Sequence, residues 1–235
     1  MGEHTVSSFD QELDEIGKLI REMADLSSAM VGASIRALVD ADQGAAQRVI
    51  SDDAVMDARQ RELDDRSIKL IARRQPMAQD LRSVLGAIRM AADFERIGDL
   101  AKNVAKRVGA VGQATTPTAL SHGILDMSHL VLRQIEEVTQ AYIERKPEVL
   151  PGLRTGDEAV DRRYTSIFRE LLTYMMEDPR NITPCTHLLF CAKNLERIGD
   201  HVTNIAENAY FVLTGQQLPA YRPKLDETGM VLSAE

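Results

Sequence analysis

Residues 94–103 read FERIGDLAKN, and residues 195–204 read LERIGDHVTN. The pentapeptide Glu-Arg-Ile-Gly-Asp recurs at a spacing of 101 residues, and an Asn stands four residues past each Asp, at Asn103 and Asn204. A second block behaves the same way. ALVDADQGAAQRVISDDAVMD (37–57) aligns without a gap on AYIERKPEVLPGLRTGDEAVD (141–161), at a spacing of 104. Three residues are therefore lost between the two blocks of the second copy, near its second inter-helix turn, where ARRQPMAQDL gives way to MMEDPRNI. The chain is an internal duplication.

Each copy has helical periodicity. Phe9, Leu13, Ile16, Ile20, Met23, Leu26 and Met30 step by four and three, the apolar stripe of a bundle helix. Ser8 and Asp10 stand where a cap belongs, and DADQG ends the pattern after about residue 39. A second helix is expected over about 45–74, closed by RRQP because Pro76 disfavours helix in the residue before it. A third is expected over about 77–108, stopping at Gly109. GAVGQATTPT then concentrates Gly, Thr and Pro, the composition of a linker. No segment alternates with period two. The expected fold is all-α: two tandem antiparallel three-helix bundles, stacked end to end, with helices of roughly 30 residues or about 45 Å. The expected division is 1–110, linker 111–117, second repeat 118–214 and an irregular tail 215–235.

Composition agrees. The 235 residues are 44% apolar but only 4% aromatic, with no Trp, so the core falls to Leu, Ile, Val, Met and Ala. A net charge of −8 argues against nucleic acid as the main partner, because no basic excess exists to neutralise phosphates. MGEHTVSSFDQELDEIGK is polar and acidic, not a signal peptide, and no run approaches the length of a transmembrane helix. Cys185 and Cys191, six apart on one helix, point in different directions and are expected as reduced core thiols.

The chemistry lies in the acids. On a helical wheel, Glu95, Asp99 and Asn103 continue the line of Leu81, Leu85, Ile88 and Ala92, while Phe94, Ile97, Ala101 and Val104 form a nearly opposite face. Glu196, Asp200 and Asn204 likewise continue Ile182 and Leu189. Two carboxylates at i and i+4 repel by about 0.2–0.5 kcal/mol. A bridging cation would remove that cost. The neighbouring helix offers matching pairs, Asp53 with Asp57 and Asp157 with Asp161. If the pairs face one another, each half gathers four carboxylates and an Asn amide, an all-oxygen set suited to Mg²⁺, Ca²⁺, Mn²⁺ or ferric iron. The other reading of the same residues is a solvated acidic face relieved by local ion pairs, Glu95 with Arg96 or Lys102 and Asp99 with Lys102 or Lys106. Gly98 and Gly199 sit mid-helix at a cost of roughly 1 kcal/mol each, which points to a close helix contact or a metal-proximal backbone. His4, His122, His129 and His187 have no ligand spacing, His201 lies off the acidic line, and no Ser-His-Asp or Cys-His arrangement is present.

The duplicated six-helix plan, the paired ERIGD with its following Asn, and the QPMAQDLR entry to the third helix (75–82) resemble the PhoU family of phosphate-regulatory proteins. The resemblance spans about residues 9–214. The second copy departs from it by entering through HLLFCAKN (187–194), without the arginines of the first. The resemblance implies a non-enzymatic, cytoplasmic negative regulator of the phosphate regulon that modulates phosphate uptake. Its implied partners are the ATPase subunit of a phosphate ABC transporter and a sensor histidine kinase, and it often dimerises. It also implies metal clusters (iron, manganese, magnesium or zinc) on the acidic motifs, at Asp53, Asp57, Glu95 and Asp99 in one half and Asp157, Asp161, Glu196 and Asp200 in the other. Two other readings stand beside it: a structural helical bundle with solvated acids, and a carboxylate-bridged metalloenzyme, which would ordinarily need His ligands.

Overall fold

The computed structural model describes residues 2–111 and 118–218. Among them every regular element is a helix. α1 (Gly2–Asp40), α2 (Gln43–Arg74) and α3 (Gln79–Ala105) make the first bundle, and a single turn, α4 (Val108–Val111), follows it. α5 (Thr118–Ile143), α6 (Leu150–Glu177) and α7 (Ile182–Thr214) make the second, with a 3₁₀ turn, Pro179–Asn181, leading into α7. The fold is all-α, two three-helix repeats. Of the expected 111–117 linker, Val111 ends α4 and 112–117 lie outside the described residues. Of the expected 215–235 tail, 215–218 are non-helical and the rest lies outside the described residues.

The duplication is visible in the backbone. Between α1 and α2, Ala41 adopts φ 54°, and the Asp42 N–H donates to the Ala37 carbonyl at 2.9 Å. Between α5 and α6, Arg145 adopts φ 56°, and the Lys146 N–H donates to the Ala141 carbonyl at 2.9 Å. Both are helix stops with one left-handed residue and a six-to-one hydrogen bond, and the two sets of residues stand at the 104-residue spacing of the sequence repeat. Asp42 then caps α2 by accepting from the Ala45 N–H at 2.9 Å.

Two local expectations are corrected. α1 starts at Gly2, so Ser8 and Asp10 lie within the helix rather than at its start. No proline stands between Gly2 and Phe9, and nothing else there breaks a helix. The third helix is also shorter at both ends than 77–108: Ala78, at φ 49°, holds the chain out of the helix, and a turn at 106–107 separates α3 from α4.

The bundles lie side by side rather than end to end. α1 packs on α5, and α3 packs on α7. The second pair is antiparallel. Arg82, early in α3, places its guanidinium 6.0 Å above the Phe211 ring late in α7, and Arg107, just past α3, lies 4.3 Å over Phe190 early in α7. The crossing is therefore centred on the two ERIGD motifs, and Ile97 and Ile198 are fully buried there. A Cβ on Gly86 would overlap Val212, so the two helices approach closely. The core is rich in methionine and branched aliphatics, with Met23, Met30, Met56, Met90, Phe94, Leu188 and Leu195 at 1% exposure or less. Each such burial contributes about 1.5–3 kcal/mol.

The stripe that the acids extend is not a core stripe. Leu85 is 43% and Ile182 is 49% exposed. The core line of α3 is Val84, Ala87, Met90, Ala91, Phe94, Ile97, Ala101 and Val104, because α3 must face α1 and α7 together. The acids of the first half thus stand at the rim where α3 meets α2, while in the second half Glu196 of α7 and Asp157 of α6 are buried.

Candidate carboxylate centres

In the first half, α2 and α3 bring Asp53 and Asp99 to one cation. Lys102 Nζ donates to Asp53 Oδ2 at 2.7 Å and to Asp99 Oδ1 at 2.6 Å, with only 19% of its side chain exposed. Burial alone would lower the Lys102 ammonium, but the two carboxylates hold it well above the usual lysine value. Burial likewise pushes the Asp99 carboxyl up, and Lys102 with Arg96 more than reverses that, so it lies below its ordinary value. Arg96 reaches Asp99 Oδ2 at 3.2 Å and Glu95 Oε2 at 3.5 Å from an exposed position. Glu95 is held above its ordinary value by burial and by Asp99, with Asp57 and Asp53 adding to the push and Arg96 opposing it. The four predicted acids of this half therefore do share one field. Asn103, one turn past Asp99 on α3, is half-buried.

In the second half, Glu196 and Asp157 are buried, at 8% and 9% exposure. Burial pushes the Glu196 carboxyl up; Lys193 pulls it back, and Asp200 and Asp161 push again. Lys193 donates to Glu196 Oε1 at 2.9 Å, but it arrives from outside, 41% exposed and 5.1 Å over the Tyr164 ring. Glu196 Oε2 is buried without a hydrogen-bond partner. The glycine of the motif has a clear role here. A Cβ on Gly199 would stand 3.0 Å from Asp157 Oδ1, 3.6 Å from Val160 Cγ1 and 3.8 Å from Gln134 Oε1, so the missing side chain makes room beside two oxygens and one methyl. In the first half the nearest atoms to a Cβ on the equivalent Gly98 belong to Met56 and Met30, at 3.3 and 3.5 Å. Asn204 turns its amide to Asp93 of α3 at 3.4 Å, where His201 Nδ1 also meets Asp93 at 2.9 Å, so it ties α7 to α3.

Among the described residues, no three His, Cys, Asp or Glu side chains are gathered closely enough to hold a metal ion as they stand. The donor sets still differ in fit. The first half has an ammonium between its carboxylates. The second has a buried carboxylate oxygen to spare, which fits a hard cation.

Lys102 bridging to Asp53, and Gln134, were not legible as site residues. The three-residue step from Asp99 to Lys102 signalled a local pair, but the reach to α2 depends on how α2 and α3 pack. Gln134 stood on another helix with no motif around it. The cysteines are buried and free, and burial pushes the Cys191 thiol up to about 12, which keeps it inert.

Comparison with known proteins follows the two halves. The PhoU domain family matches residues 20–108 and again 124–209, one copy per bundle. The chain belongs to the PhoU family. A PhoU homolog from Rhizobium meliloti (strain 1021), described as a phosphate-specific transport system accessory protein, is 55% identical over 96% of this chain and 95% of its own length. One of the same description from Caulobacter vibrioides is 45% identical over 96% and 98%. The crystal structure of PhoU from Pseudomonas aeruginosa superposes with a TM-score of 0.82 at 33% identity, covering 88% of this chain and all of that one. The phosphate transport regulatory protein PhoU from Streptococcus pneumoniae, at 24% identity and a TM-score of 0.82, shares the fold. The PhoU copies meet at α3 and α7, so the motif that marks each copy also forms the joint between them.

Proposed function

We propose that this chain is an accessory regulator of a phosphate-specific transport system. It acts in the cytoplasm as an adaptor between the transporter's ATPase subunit and a sensor histidine kinase, and holds the phosphate regulon off when phosphate is plentiful. The observation that carries this reading is the full-length kinship, through both halves, with accessory proteins of that system. No helix of the described residues is long and apolar enough to cross a membrane, so contact with a transporter would be peripheral. The role is binding, with no catalytic step, and a homodimer is the expected working form. The carboxylate motifs belong to the same reading: a hard cation on them would neutralise the like charges and tie the second and third helices of a repeat. The spare Glu196 oxygen supports this.

Deleting the gene and following a phosphate-regulon reporter in phosphate-rich medium tests the role. The reporter is expected to rise to its starvation level and to fall when the gene is restored. A reporter that stays repressed in the deletion strain overturns the regulatory reading.

A further inference from the structure

We propose that the two carboxylate centres are not equivalent: the first is closed by the chain's own cation, Lys102, and metal is confined to the second, where Gln134 supplies an additional oxygen. This rests on the metal reading above and narrows it. In the first half the ammonium already lies between the α2 and α3 carboxylates, at 2.7 and 2.6 Å from Asp53 and Asp99. A metal ion entering there would have to displace a lysine held by two acids, or stand beside its positive charge.

The position equivalent to Lys102 in the second copy is Thr203, a neutral residue. Lys193, the cation that does reach Glu196, approaches from the exposed side and leaves Oε2 unpaired. A second orphan lies on α5. Gln134 is 5% exposed, and its Oε1 is also buried without a partner. Gln134 Oε1 and Asp157 Oδ1 flank the same open space at Gly199. Two unpaired buried oxygens on different helices, α5 and α7, are costly unless something positive meets them. The residue equivalent to Gln134 in the first half is Met30, whose thioether faces Gly98 and offers nothing to a hard cation. Both differences run the same way: the first half has a built-in cation and a thioether where the second has a neutral residue and an amide oxygen.

The full-length chain, stripped of metal with chelator and dialysed, would be loaded separately with Fe(II), Mn(II) and Zn(II) under argon, and the bound metal counted by mass spectrometry. Glu95→Ala/Asp99→Ala is expected to retain the parent's metal. Glu196→Ala/Asp200→Ala is expected to lose it, and Gln134→Met to bind about tenfold more weakly, as loss of a supporting oxygen does. Lys102→Thr is expected to raise the metal bound by about twofold by opening the first centre, while Thr203→Lys removes binding. Helicity by circular dichroism, checked for every variant, separates a closed site from an unfolded chain. Equal losses on mutating either pair of acids, with no gain for Lys102→Thr, would overturn the inequality while leaving the metal reading intact. No metal on the parent in any loading overturns both.

Discussion

The two ERIGD centres share a motif, a helix position and a place in the repeat, yet they solve one electrostatic problem in different ways. In the first half, repulsion among Asp53, Asp57, Glu95 and Asp99 is relieved by ion pairs, chiefly through Lys102. In the second, Glu196 and Asp157 are more deeply buried and a carboxylate oxygen has no partner. Identical pentapeptides therefore do not guarantee identical chemistry. What differs is contributed by residues off the motif: Lys102 against Thr203, and Met30 against Gln134.

The largest effects should come from the core at the joint, where the halves are alike. Phe94 and Leu195 are equivalent and fully buried. Phe94→Ala and Leu195→Ala should each cost about 3–5 and 2–5 kcal/mol in urea unfolding. A cost below 1 kcal/mol for either would show that its half does not share the common core. Next, Lys102→Met should destabilise by about 1.5–3 kcal/mol, the scale of hydrogen bonds to charged groups, because it strands Asp53 and Asp99. Thr203→Val should change stability by less, and a reversed order would break the comparison.

The motif glycines should respond in opposite directions. Gly98→Ala meets a flexible methionine and gains helix propensity, so it should be neutral or stabilising by up to about 1 kcal/mol. Gly199→Ala crowds Asp157 Oδ1 and should lower the melting temperature. Equal shifts would mean that the space beside Gly199 has no special role.

The pH dependence is a finer probe, measured on metal-free protein. The raised Glu196 carboxyl binds its proton more tightly when folded. Its contribution is fully present below the ordinary value of 4.5 and is lost as pH rises through the folded value. Glu196→Gln should therefore stabilise at pH 7, by a margin that shrinks towards pH 4. The lowered Asp99 carboxyl contributes above its ordinary 3.8, and that contribution is lost as pH falls through the folded value. Asp99→Asn should be destabilising at pH 7, with the loss closing in acid. Two variants with the same sign at pH 7 would contradict these two assignments, which concern Glu196 and Asp99 themselves, since Glu95 in the first centre is raised as Glu196 is.

The helices, the duplication and the pairing of carboxylates at i and i+4 were all legible in the amino-acid sequence, because they follow from the local period of 3.6 residues and from direct comparison of the two copies. Helix ends were read less well: Ser8 and Asp10 have the chemistry of caps but stand within α1, since a cap ends a helix only where the chain has reason to turn. The wheel placed the acids on the correct line of α3, yet not at its correct depth, because which line is core depends on having α1 and α7 as neighbours. Tertiary structure alone decided that the bundles lie side by side, that the two ERIGD motifs form their joint, that Lys102 spans to Asp53, and that Gln134 reaches the space beside Gly199. Each of these depends on contacts between residues tens of positions apart, set by how whole helices pack, and no local pattern encodes them.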